Sequence, residues 1–328
     1  MGSNEYCPSN EINTFVKNFL MRGIPENKEH LFKEALNSFK GTEDIYVTDE
    51  KLETFLKATK DIEIPKEERL RQLAISLEHE KFEKGWKSLS KIYQKASEIN
   101  PKDSYIFHSW GISASEWFES WMTTDLTEQL EIFSESEQVL SKALALEPEN
   151  SDIAYSLGII NYTHPSHLTN RTFYLEKAIN WFSLAIKWNN QNVMAHLYLA
   201  HCYHDFAYHI NPNYWENALN AYKNVDQHAL ARDFPVWRVL KCREQIAACY
   251  CWSGNQEEAV YHFSKFLDEI EVFELDEYNS HEAIINFDEI VDSLTKKLNN
   301  PVLLKRTKAQ VIRYGFENLY QEFFDRLD

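Results

Sequence analysis

Glycine and proline are scarce: 8 and 9 in a chain of 328 residues, together about one residue in twenty against roughly one in eight in average usage. These residues shape tight hairpin turns, so a many-stranded β architecture is excluded. Long apolar runs are missing as well. The longest, Ile246 to Trp252, has seven residues, whereas a bilayer span needs about 20, so no membrane segment is expected. Positive charge is in deficit, with 34 Lys and Arg against 51 Asp and Glu and a net charge of −17. Such a surface repels nucleic-acid phosphates and anionic membranes, and neither is expected as a partner. The five cysteines (Cys7, Cys202, Cys242, Cys249, Cys251) make no even disulfide framework. No basic-then-apolar segment opens the chain as a secretory signal would, so the expected setting is reducing and cytoplasmic. The eight glycines never come within five residues of one another, which leaves no glycine-rich phosphate cradle, and no GxSxG elbow is present. A nucleotide-dependent enzyme is not expected, and no cofactor is implied.

What is present is aromatic and periodic. Twenty Phe, 17 Tyr and 9 Trp can fill an extended core without metals or disulfides. The stretch Lys95 to Ser104 (KASEINPKDS) recurs 47 residues on as Lys142 to Ser151 (KALALEPENS), and a weaker copy runs from Ala185 to Asn192. A period just above 40 marks an internal repeat. Small and aromatic residues recur on one helical face: Ala178, Phe182, Ala185; Ala218, Tyr222, Val225; Ala259, Phe263, Phe266. Upstream of each such face, a second helix carries a small residue after an apolar one, as in Trp110-Gly111, Leu157-Gly158, Leu199-Ala200 and Ile246-Ala247. Small residues there allow two helices to approach closely.

These residues resemble the tetratricopeptide-repeat (TPR) family. Arg243 to Phe266 matches its unit without insertion, with Ile246-Ala247, Tyr250, Gly254-Asn255 in the turn, then Ala259, Phe263 and Phe266. The three units before it insert about 13, 8 and 6 residues against the family spacing. The resemblance implies an all-α solenoid of stacked antiparallel helix pairs: an N-terminal helical cap over 1–65, about five irregular units over 66–270, and capping helices over 271–328. Flanking helices are expected from Ser9 or Asn10 to Met21, from Pro25 to Phe39, from a Thr48 cap to Lys60, from Ser280 to Leu298 and from Pro301 to Leu327.

In this family the first helix of each unit lines the concave side. The resemblance therefore points to a partner-binding groove formed by His108, Ile112, Glu116, Tyr155, Ile159, Tyr162, Leu197, His201, His204, Asp205, Glu244 and Trp252. Periodicity places His108/Ile112, Tyr155/Ile159/Tyr162 and Leu197/His201/His204 on helical stripes independently. The family's carboxylate clamp of Lys, Asn and Arg is absent here, so a basic or aromatic peptide or protein is the expected partner. The expected function is a non-enzymatic interaction module, an adaptor, scaffold or regulatory subunit. One alternative is an inhibitor or immunity-type protein that covers a partner enzyme with acidic surface. Another is a metal-dependent hydrolase centred on His201, His204 and Asp205, whose spacing of three and four can bring ligands together on a helix but lacks a HExxH-type base. Ordinary packed histidines explain that cluster as well, and no metal is assigned. Cys242, Cys249 and Cys251 fall in one helix without a CxxC pair and read as small buried hydrophobes. Lys296, Lys297, Lys305, Arg306, Lys308 and Arg313 gather near the C-terminus, either as solvated helix ends or as a docking patch for an acidic surface.

Overall fold

The computed structural model describes residues 26–39, 45, 47–77, 86–119, 125–164, 170–229, 236–272, 287–315 and 320–321. Among them it is predominantly helical, with fourteen α-helices and no strand. The chain forms two compact units, Met1–Trp181 and Phe182–Asp328. The first contains α1 (Glu29–Asn37, preceded by a 3-10 turn at Glu26–Lys28), α2 (Asp49–Ala58), α3 (Lys66–Leu77), α4 (Trp86–Ile99), α5 (Ser104–Glu119), α6 (Leu126–Leu146) and α7 (Ser151–Tyr162). The division falls inside α8 (Arg171–Trp188). The second unit continues with α9 (Val193–His209), a 3-10 turn (Pro212–Tyr214), α10 (Trp215–Ala229), α11 (Val236–Trp252), α12 (Gln256–Val272), α13 (Asp288–Lys296) and α14 (Pro301–Arg313).

Within the first unit α3 packs on α4 and α5 on α6, and the first helices α3, α5 and α7 are neighbours in turn. Within the second, α9 packs on α10 and α11 on α12, with α13 against α11 and α14 against α12. This is the all-α, TPR-like stacking of helix pairs that the repeat implies. The repeated decapeptide has a local cause. Asp103, Asn150 and Asn192 occupy its equivalent positions, and each side chain accepts a hydrogen bond from the backbone of the helix that follows, from Tyr105 N at 3.0 Å, Asp152 N at 2.9 Å and Ala195 N at 3.0 Å. Each therefore caps the helix that follows. The small-aromatic triplets of α8, α10 and α12 are all buried, and so are Gly111, Gly158, Ala200 and Ala247 on the partner helices.

Gly111 shows why this position must be small. A Cβ placed there would lie 2.3 Å from Leu140 Cγ on α6, and Ser136 of α6 donates to the Gly111 carbonyl at 2.8 Å. Glu135, one residue earlier, gathers three neutral donors: Trp86 Nε1 at 2.7 Å, Trp110 Nε1 at 2.8 Å and Ser90 Oγ at 2.6 Å. One carboxylate thereby fastens α4, α5 and α6.

The flanking helices are partly as expected. Thr48 caps α2 by accepting from Lys51 N at 3.1 Å. The helix expected from Ser9 or Asn10 to Met21, and the start of the one expected from Ser280, lie outside the described residues. The helix expected from Pro301 to Leu327 stops instead at Arg313. Gly315 follows with φ +73°, a left-handed conformation that ends helices and suits glycine. The insertion expected in the unit around Ala200 is not an irregular loop. It extends α9 to His209 and is closed by the Pro212–Tyr214 turn, so the extra residues remain helical.

Candidate functional site

In the first unit the first-helix stripe is only partly covered. His108, Ile112 and Glu116 on α5 and Tyr155 and Tyr162 on α7 are half-buried, while Ile159 is buried. Tyr105, one turn before His108 on the same face, is exposed. The His108 imidazole and the Ser156 hydroxyl are 2.9 Å apart and join α5 to α7. On the α3 side Arg71 donates from Nε to Glu68 at 2.6 Å and from a terminal nitrogen to Ser109 Oγ at 3.0 Å. The Arg171 guanidinium lies over the Tyr162 ring at 5.0 Å. Carboxyls along this face lose hydration: burial pushes Asp103 and Asp152 above their ordinary range, although the Asp152 side chain is exposed.

Burial also lowers the His108 pKa to about 4, with Glu147 pulling upward and Arg71 downward. The folded imidazole is therefore neutral over the range in which an unfolded histidine, near 6.5, takes up a proton. Between about pH 6.5 and 4 the unfolded chain binds the extra proton, so stability falls as pH falls. His108→Gln removes this contribution. The variant is expected to lose about 1–2 kcal/mol less than the parent between pH 7 and 4.5, a shift of this kind being worth at most 1.36 kcal/mol per unit before solvent screening. Urea denaturation at the two pH values measures it, and parallel losses in both proteins would contradict the neutral imidazole.

The second unit treats its stripe differently. Leu197 and His204 on α9 are buried, and His201 and Asp205 are half-buried. His201 Nδ1 meets the Tyr222 hydroxyl at 2.9 Å, and burial lowers its pKa to about 4 against the pull of Asp205. His204 Nε2 lies 3.4 Å from Glu289 on α13. The two imidazoles serve different partners, and among the described residues no group of three or more His, Cys, Asp or Glu is arranged to hold a metal ion. Cys202, Cys242, Cys249 and Cys251 are free thiols and buried, with Cys242 pushed up to about 12 by desolvation.

Glu244 requires a correction. Expected in the groove, it is completely buried. Lys241 Nζ donates to its Oε2 at 2.6 Å, and its Oε1 accepts from Ile290 N at 3.2 Å. Ile290 is the third residue of α13, so Glu244 satisfies a free amide at that helix's N-terminus from a neighbouring helix. A residue read as partner-facing is in fact the anchor of a C-terminal helix. Burial pushes its carboxyl up to about 7 despite the adjacent Lys241.

Part of the basic C-terminal cluster is spent internally in the same unit. Arg306 pairs with Asp268 at 2.6 Å and Glu271 at 2.8 Å on α12, and Arg313 donates to the carbonyls of Ile270 and Glu271. Trp252 is half-buried and stacks on Trp215. Two aromatic neighbours, Tyr208 and Trp215, were missing from the expected set. Tyr208 continues the α9 stripe by one turn beyond His204, a signal the spacing contained, whereas Trp215 opens the partner helix and no first-helix pattern could indicate it.

No family model matches the sequence, and no curated protein matches it. Solved structures with similar helix stacking include MamA, at 18% identity over 57% of this chain and 89% of that one with a TM-score of 0.42. PilW, a widely conserved type IV pilus biogenesis factor, is 15% identical over 79% of this chain and 94% of its own, TM-score 0.45. YrrB, a TPR protein with an unusual peptide-binding site, is 16% identical over 66% and 91%, TM-score 0.42. At such values the likeness is one of helix stacking and says nothing of activity or partner. Among the described residues no helix is long and apolar enough to cross a membrane.

Proposed function

We propose that the chain is a non-enzymatic interaction module, an adaptor, scaffold or regulatory subunit, that binds a peptide or protein partner on the first-helix faces of its repeats. The observation that supports this reading is the partly exposed stripe on α5 and α7, where His108, Ile112, Glu116, Tyr155 and Tyr162 are half-buried although the opposite faces of the same helices are packed. Aromatic side chains beside carboxylates suit a basic or aromatic segment of a partner. The half-buried His201, Asp205 and Trp252 extend the same chemistry to the second unit. In this reading the repeats over 66–270 carry the binding faces, the flanking helices close the stack, and the protein works in the cytoplasm.

The test starts from affinity purification out of the native host, with the captured partner then purified and titrated. Ile112→Ala combined with Tyr162→Ala is expected to weaken its binding by about tenfold or more, because interface energy concentrates in a few apolar and aromatic anchors. Circular dichroism should be unchanged. A folded double variant with parental affinity would remove the stripe from the interface.

A further inference from the structure

The added length of α9 places Tyr208 beside two tryptophans. The rings of Trp215 and Trp252 stack at 6.2 Å and 15°. Tyr208 stands edge-on to both, 5.5 Å from Trp252 and 6.4 Å from Trp215, and His204 is edge-on to Trp215 at 5.0 Å. Lys296, in the last turn of α13, reaches two of these rings. Its ammonium lies 5.8 Å from the Tyr208 centroid and 6.0 Å from that of Trp252, from which the Lys297 ammonium also lies at 5.3 Å. The same ammonium donates to Asp292 Oδ2 at 2.6 Å and to the Tyr208 hydroxyl at 3.1 Å, and that hydroxyl donates to Asp292 at 3.0 Å. Trp215 is buried, and the indole N–H of Trp252 is buried without a hydrogen-bond partner. Tyr208 and Lys296 are open to solvent at 41% and 47%.

Rings that bracket a cation, with a carboxylate at the rim, are how proteins hold alkylammonium groups. Here the occupant belongs to the chain itself, and its hold is weak. Exposed i,i+4 ion pairs and solvent-exposed cation–π contacts each contribute little, so another ammonium can replace it. We propose that Tyr208, Trp252 and Asp292, backed by the buried Trp215, form an alkylammonium site that takes a lysine side chain of a basic peptide partner, with Lys296 as its displaceable internal occupant. The occupant itself, a four-carbon stem ending in an ammonium, argues for lysine, and the net charge of −17 draws basic segments toward the surface. The inference rests on the reading of the chain as an interaction module, but its first test needs no partner and so fails or succeeds separately.

In Lys296→Ala the missing stem and ammonium can be supplied by n-butylammonium, followed through the Trp252 indole N–H resonance. The variant is expected to bind it saturably, and wild type about threefold or more weaker, because its own lysine competes for the site. Neutral 1-butanol should not saturate the shift, and adding Asp292→Asn should weaken butylammonium by about fivefold or more through loss of the charged partner. A short peptide with one central lysine should then compete for the same resonance. Equal affinity in wild type and variant, equal binding of butanol, or butylammonium binding without peptide binding would each overturn the proposal. Should Lys296→Ala melt early, Lys296→Ser takes its place. In wild type the ε-methylene protons of Lys296 must resonate upfield of the other lysines, and their absence there would show that the ring box is not occupied.

Discussion

Lys241→Met is expected to cost almost nothing at pH 5 and up to about 2 kcal/mol at pH 8.5. Glu244, its partner at 2.6 Å, is completely buried, and a buried carboxylate that loses its paired cation either remains charged at high cost or takes up a proton. In the parent the folded pKa is already about 7 against 4.5 for the ordinary side chain, chiefly because of burial. The folded state therefore binds the extra proton between those values, and stability falls as pH rises through that window. Removing the ammonium raises the folded pKa further, so the variant goes on losing about 1.36 kcal/mol per unit above pH 7, where the parent has stopped. Near pH 5 the carboxyl is protonated in both folded proteins and the difference closes. Lys241→Met/Glu244→Gln, which keeps an acceptor for Ile290 N–H without the charge, should show no such divergence. Denaturant titrations across this range decide the matter, and a difference independent of pH would mean that Glu244 is not the group that responds.

How much of this was legible beforehand depended on whether the cause was local. Repeat spacing and small-aromatic alternation mark α8, α10 and α12 because Ala178, Phe182 and Ala185 and their counterparts are packing residues whose sizes the neighbouring helix dictates. Capping chemistry at Thr48 is equally local. Gly315 carried a readable stop signal within a segment that otherwise keeps a helical period, and the period alone overran it. The groove was legible as a set of stripes but not as a surface. Nothing in the spacing of Glu244 says that the N-terminus of α13 comes to rest on it, since the 273–286 segment that precedes α13 belongs to no repeat register. For the same reason the cluster of Tyr208, Trp215, Trp252 and Lys296 joins α9, α10, α11 and α13, and no single-helix period connects them.

Gly111→Ala tests the packing half of that account, since two ordinary rules give opposite signs. Helix propensity favours alanine over glycine by roughly 0.5–1 kcal/mol in a helix interior, because glycine loses more backbone freedom on folding. Against this, the new methyl would lie 2.3 Å from Leu140 Cγ and 2.6 Å from its Cδ2. Leu140 is completely buried and cannot swing into solvent. Separating α5 from α6 would also stretch the 2.8 Å bond from Ser136 to the Gly111 carbonyl and the indole bond from Trp110 to Glu135. Overpacking of this kind costs about 1–3 kcal/mol, so the clash outweighs the propensity and the variant should melt earlier than the parent. Leu140→Ala creates the missing space at the cost of a cavity, and in that background the same glycine substitution should become neutral or stabilising. The sign reversal between the two backgrounds is the measurement that matters, because a general intolerance of Ala at position 111 would persist after Leu140 is shortened, whereas a contact between these two side chains must disappear with it.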